Sequence, residues 1–162
     1  MTTPTNQSDT SFDQLIATVA ACRACPTMEG RRRVLSRLNG RVDARVLFIA
    51  EAPGRFGAEL TGVPLSNDQS GRNFGRFLVE AGLGRDEIFI TNAVLCNPQN
   101  ERGRNRPPTQ AELGRCAVHL RAQLALITAP VVVTLGAVAL RAIEVVQPHG
   151  LSLSTSVARV AN

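Results

Sequence analysis

The chain has 162 residues, 44% hydrophobic and 19% charged, enough for one compact domain with its own core and unlike the composition of a disordered or fibrous chain. Its net charge is +5 and every basic residue is Arg, a surplus that permits a nucleic-acid partner without requiring one. The polar start MTTPTNQSDTSFDQ lacks the basic and apolar regions of a secretory signal, and the longest apolar stretch, Ile127 to Leu140, is broken by Thr, Pro and Gly, so a cytoplasmic monomer with no membrane span is expected.

Residues 1–10 read as a disordered tail, and 11–162 as a single domain. Phe12, Leu15, Ile16 and Val19 recur at helical spacing, predicting a helix over 11–21 with Ser11 or Asp13 as its cap. It runs into Cys22-Arg-Ala-Cys25-Pro26. A basic segment, 29–43, carries Arg31, Arg32, Arg33, Arg37 and Arg41 and ends near the turn signal Asn39-Gly40. Residues 45–50, RVLFIA, predict a buried strand, and Glu51-Ala-Pro-Gly54 the turn that ends it. After a loop to about Ser70, a helix is predicted over 71–82 with Phe74, Phe77 and Leu78 on one face and Gly82 as its stop. Residues 87–92, EIFITN, predict a second strand, leading to Cys96 and an Arg/Asn/Pro loop with Arg102, Arg104 and Arg106. Thr109 and Glu112 form a capping-box pattern at the head of a helix that reaches about Ile127. VVVTLG after Pro130 is a third strand, 136–146 a further helix, and LSLSTSVARV at 151–160 is strand-like.

Strands alternating with helices predict a parallel sheet in a three-layer α/β/α sandwich, its C-terminal strand missing or incomplete. Ligands of such sheets bind outside the carboxyl ends of the strands, here Glu51–Gly54, Asn92 and Leu135-Gly136.

The four cysteines fall as a pair, Cys22-x2-Cys25, and two singles, Cys96 and Cys116. Four thiolates suit tetrahedral Zn²⁺ or a [4Fe–4S] cluster, and spacing does not choose between them. Unconnected structural thiols or a redox pair at 22 and 25 are the alternatives; the pair follows a helix, whereas redox pairs usually open one.

Taken in order, CxxCP, a strand ending in EAPG, TG-x-P, ITNAV-x-C, the Pro/Asn/Arg loop, a Glu-x3-Cys helix and P-x-V-x-x-LG-x-x-A resemble the iron–sulfur branch (family 4/5-like) of the uracil-DNA glycosylase superfamily over about residues 15–145. The resemblance implies an α/β/α sandwich around a four-stranded parallel sheet, and excision of uracil from DNA by hydrolysis of its N-glycosidic bond in base-excision repair. It also implies a structural [4Fe–4S] cluster, with Zn as alternative, on Cys22, Cys25, Cys96 and Cys116. The ligand gap from Cys96 to Cys116 is a few residues longer than the family pattern, with ERGRN as the apparent insertion. Asn92 matches the uracil-reading Asn, and an amide suits the task because it both donates and accepts. Glu51, with Ala52, Pro53 and Gly54, would form the turn beside uracil and hold the attacking water; Ala52 stands where other branches carry a water-activating Asp.

Two departures stand out. Leu65 follows the TG-x-P proline where the family has an aromatic that stacks on uracil; Phe56 or Phe74 is a possible substitute. The late His-Pro-Ser/Gly motif is absent: Pro148-His149-Gly150 reads as a turn and His119 as a surface or packing residue. The resemblance therefore implies a domain cut short at its C-terminus, an exposed sheet edge, and glycosylase activity that is reduced or lost. The alternatives are a non-catalytic DNA-binding module with a structural cluster or Zn, and a Zn-stabilised α/β protein with another substrate.

Overall fold

The computed structural model describes residues 7–160. Helix α1 spans Gln7–Ala20, so it begins four residues before the expected start. Ser11 and Asp13 thus lie inside the helix rather than at its cap, and the Asp13 carboxylate instead pairs with Arg37 at 2.8 Å. Residues 7–10 of the expected tail are helical, and 1–6 lie outside the described residues.

The elements that follow are β1 (Val46–Ala50), a short α2 (Ala58–Thr61), α3 (Gln69–Glu80), β2 (Ile88–Asn92), α4 (Gln110–Leu126), β3 (Val131–Thr134), α5 (Ala137–Val146) and α6 (Leu153–Ser156). The three strands form one parallel sheet in the order β2-β1-β3. Residues 151–160, read as strand-like, hold the single turn α6 instead. Their apolar residues Leu151, Leu153, Val157 and Val160 are exposed, so no buried face rewards extended pairing there.

Alternation along the strands builds two cores. Leu47, Ile49 and Phe89 face one side, where Phe12, Leu15 and Val19 of α1, Leu113 and Leu120 of α4, and Ala139 and Ala142 of α5 meet them. Ile88 and Ile90, with Val46 and Phe48, face the other side against Phe74 and Leu78 of α3. The result is the expected three-layer sandwich. The two edge-on ring pairs, Phe12 with Phe89 and Phe48 with Phe74, place one aromatic contact in each layer.

Two placements follow from this winding. After β1 the chain goes to α3 on one face, and after β3 it goes to α5 on the other, so the adjacent strands β1 and β3 send their helices to opposite sides. Such a switch leaves a crevice outside the carboxyl ends of the strands. The parallel register Ala50↔Asn92 sets Asn92 beside the residue that precedes Glu51. Among the described residues no helix is long and apolar enough to cross a membrane.

Candidate functional site

The turn after β1 is held by backbone and side-chain bonds from the segment after β2. Ala93 and Val94 donate their N–H groups to the carbonyls of Ala50 and Glu51 at 2.8 and 3.3 Å, continuing the ladder beyond the strands. Pro53 is buried, and its carbonyl accepts from the Asn97 amide. The Asn97 amide also donates to Asn105 Oδ1 at 2.9 Å. A Cβ on Gly54 would lie 2.5 Å from the Asp68 carboxylate, so the missing side chain makes room for the head of α3. Glu51 and Ala52 are half-buried beside this turn.

Asn92 ends β2 and is 3% exposed, and its Nδ2 has no hydrogen-bond partner among the described residues. An unpaired buried amide donor costs about 1–3 kcal/mol, and such groups are rare enough in folded proteins to need a reason. Leu65 has the left-handed backbone angle φ 48 and packs half-buried against the core around Phe74 and Leu78. Phe74 is buried in that core, so of the two candidate substitutes Phe56, 59% exposed, is the one open to a ligand.

The four cysteines, from the end of α1, the turn after it, the segment after β2 and the middle of α4, all line one mostly apolar cavity. None is in a disulfide. Burial pushes the Cys96 thiol up to about 11, against the pull of Arg33, and the Cys116 thiol to about 12. Cys22 and Cys25 add to the rise at both, so in the protein alone these two thiols are held in the protonated form. Among the described residues no three His, Cys, Asp or Glu side chains close up tightly enough to hold a metal ion between them.

Neighbours of this cavity were hidden in the sequence. Arg33 donates from Nε and Nη2 to the Cys22 carbonyl at 3.1 and 2.8 Å, fixing the exit of α1. Glu112 does more than cap α4. Its carboxylate accepts from Arg106 at 2.8 and 2.6 Å, from the Thr109 N–H at 2.8 Å and from the Thr27 hydroxyl at 2.9 Å. The residue two past Cys25 and the helix carrying Cys116 are thereby tied to one carboxylate. The capping-box spacing points to the Thr109 bond alone; nothing local announces the other partners.

His119 is buried in α4 and packs there, with burial lowering its pKa. His149 sits in the turn after α5, where its Nε2 meets the Leu140 carbonyl at 3.2 Å and its Nδ1 accepts the Leu151 N–H at 2.9 Å. Neither the cysteine cavity nor the hollow beside the Arg102–Arg106 segment is lined by Asn92 or Glu51.

Comparison with known proteins adds an independent line. The family profile described as the uracil DNA glycosylase superfamily matches residues 39–159. A type-4 uracil-DNA glycosylase of Thermotoga maritima is 37% identical over 122 residues, covering 75% of this chain and 60% of the relative. One of Archaeoglobus fulgidus is 32% identical over 126 residues, covering 78% and 60%. A type-5 uracil-DNA glycosylase of Thermus thermophilus is 30% identical over 160 residues, covering 81% and 71%. The chain thus spans about 60% of the length of these type-4 relatives.

Proposed function

The chain belongs to the uracil-DNA glycosylase superfamily, and from that premise we propose that it recognises uracil in DNA and hydrolyses its N-glycosidic bond. The observation that carries the reading is the orphaned Nδ2 of Asn92, buried at the carboxyl end of β2 beside the Glu51–Gly54 turn. Uracil offers an acceptor at O4 and a donor at N3, so one amide satisfies both with Nδ2 and Oδ1; cytosine presents the opposite pair. The base must leave the stack to reach this end of the sheet, at a cost of about a few kcal/mol that a damaged or single-stranded site lowers.

As the bond breaks, charge develops on the uracil ring and the sugar becomes cationic. Glu51 supplies a carboxylate for orienting water toward the sugar, and the Ala52–Gly54 backbone supplies fixed dipoles close to the base. Leu65 gives an aliphatic cover in place of an aromatic face, which weakens stacking on the base.

Cys22, Cys25, Cys96 and Cys116 are the residues to hold a cluster. Four thiolates lining one cavity would suit a thiolate-held centre, and the resemblance to the iron–sulfur glycosylases favours the [4Fe–4S] cluster over Zn. Its contribution when bound is to cross-link α1, the segment after β2 and α4.

The test is release of uracil from a single-stranded oligonucleotide by the cluster-loaded chain. Abasic product is expected from the wild type, and loss of about a hundredfold or more in rate from Asn92→Ala. Binding without any abasic product would replace this reading with a non-catalytic DNA-binding module. Brown colour with iron and acid-labile sulfide is expected; a colourless protein with stoichiometric zinc would overturn the cluster.

A further inference from the structure

The segment that lengthens the gap between Cys96 and Cys116 is built as a device of its own. Gln99 and Asn105 pair as an antiparallel bridge, and Asn100 Oδ1 accepts the N–H groups of Arg102 and Arg104 at 3.0 Å each. The turn is thereby fixed by its backbone, and the side chains of Arg102 and Arg104 are left over. Both residues are exposed and make no side-chain hydrogen bond or ion pair with described residues, beside an open hollow of about 530 Å³. Arg106, just past the turn, is spent on Glu112. Glu101 is the acid within the turn, so the two free guanidinium groups outweigh it.

The turn is also docked onto the candidate active site. Asn105 Oδ1 accepts the Arg55 N–H at 3.2 Å and the Asn97 amide at 2.9 Å, and the Gly103 carbonyl accepts from Arg55 Nη1 at 2.8 Å. The same Arg55 guanidinium lies 4.2 Å from the centre of the Phe56 ring. Gly103, the guanidinium and an exposed aromatic ring therefore form one contiguous stack, starting one residue after Gly54.

We propose that the Gln99–Asn105 turn and the Arg55–Phe56 pair form a clamp for the DNA strand flanking the excised nucleotide, Arg102 and Arg104 taking phosphates and Phe56 a neighbouring base. The proposal rests on the reading above only in taking DNA as the ligand. Unpaired guanidinium groups on a braced turn lose little on meeting phosphodiester, and an exposed ring backed by Arg is a sequence-tolerant stacking platform. Because the turn hydrogen-bonds to Arg55 and Asn97, which flank the Glu51–Gly54 turn, a strand held there lies next to the carboxyl ends of β1 and β2.

The experiment measures binding of the cluster-loaded chain to uracil-containing and uracil-free single-stranded oligonucleotides across salt concentrations. Removing two phosphate contacts with Arg102→Ala/Arg104→Ala should weaken both ligands about tenfold near 0.1 M salt and flatten the log–log salt slope by about 1.4. Phe56→Ala should weaken binding about fivefold or more without changing the slope. The control Arg121→Ala/Arg141→Ala removes the same charge from the exposed sides of α4 and α5 and should leave the slope near the wild type. Equal slopes in the wild type, the Arg102/Arg104 variant and the Arg121/Arg141 control, an equal loss in that control, or no oligonucleotide binding by the wild type would overturn the clamp. A wild type that shows the slope difference but releases no uracil sinks the glycosylase reading and leaves the clamp standing. Uracil release with affinity unchanged in the Arg pair sinks the clamp alone.

Discussion

At the scale of single residues, Glu112 shows how one buried carboxylate can organise a site it does not enter. The Arg106 guanidinium, then the Thr109 N–H and the Thr27 hydroxyl, hold its pKa down at about 2 against the opposing effect of burial. A folded-state pKa below the usual carboxylate value means that the stabilisation is complete above about pH 4.5 and is lost as pH falls through about 2. Glu112→Gln removes the charge and one acceptor, leaving Arg106 partly buried without its partner, at an expected cost of about 2–4 kcal/mol near neutral pH. Thermal melts of wild type and variant should therefore differ by a constant amount from pH 7 to about 5, and converge toward pH 2. A gap that stays the same down to pH 2 would show that the ion pair contributes nothing. Asn92 is the opposite case: its environment leaves a donor unpaired where Glu112 is saturated, as the proposed uracil-reading role requires.

Whole elements respond to their glycines in opposite directions. Gly40 has φ +134, and a Cβ there would meet the Ile88 carbonyl at 2.3 Å, because the turn ending at Gly40 lies flat against β2. Asn39, buried beside it, donates to the Ile90 carbonyl at 2.8 Å and completes that docking. Gly40→Ala should lose about 2–4 kcal/mol in denaturant unfolding. Gly75, inside α3 with open space where its Cβ would stand, should gain about 0.5–1 kcal/mol on becoming Ala. Equal effects of the two substitutions would contradict the packing described. The elements themselves were legible because their signals are local: the apolar strands, the Thr109–Glu112 cap and the Gly82 stop all lie within a few residues. The family order of motifs grouped the four cysteines, and they line one cavity, but among the described residues no three of them close up on a metal-sized point. The start of α1 was missed because Gln7–Thr10 carry no apolar periodicity, and 151–160 because alternation without a partner does not make a strand. Asn97, Arg55 and Thr27 meet Pro53, Gly103 and Glu112 across long sequence separations, which no pattern in one sequence encodes.

For the molecule as a whole, the sheet is closed by α-helices on its two faces but not at the β3 side. β1 is bonded on both edges, to β2 and to β3, whereas β3 has no second neighbour among the described residues. Val131 and Val132 at its start are about half exposed, at 50% and 47%. A short parallel strand with outward N–H and C=O groups and β-branched side chains is the kind of edge that pairs with other chains. A charge placed on it opposes such pairing at little cost to the fold, because Val132 has already kept half its surface in water. Val132→Lys should therefore lower light scattering during concentration and heating, and shift the unfolding free energy by no more than about 0.5 kcal/mol. The salt-bridged and helical surfaces elsewhere offer a matched control, for which Val118→Lys, on an exposed face of α4, serves well. If both substitutions reduce scattering equally, net charge is responsible; if only Val132→Lys does, self-association runs through the β3 edge. No reduction from Val132→Lys would mean that this edge is protected in solution.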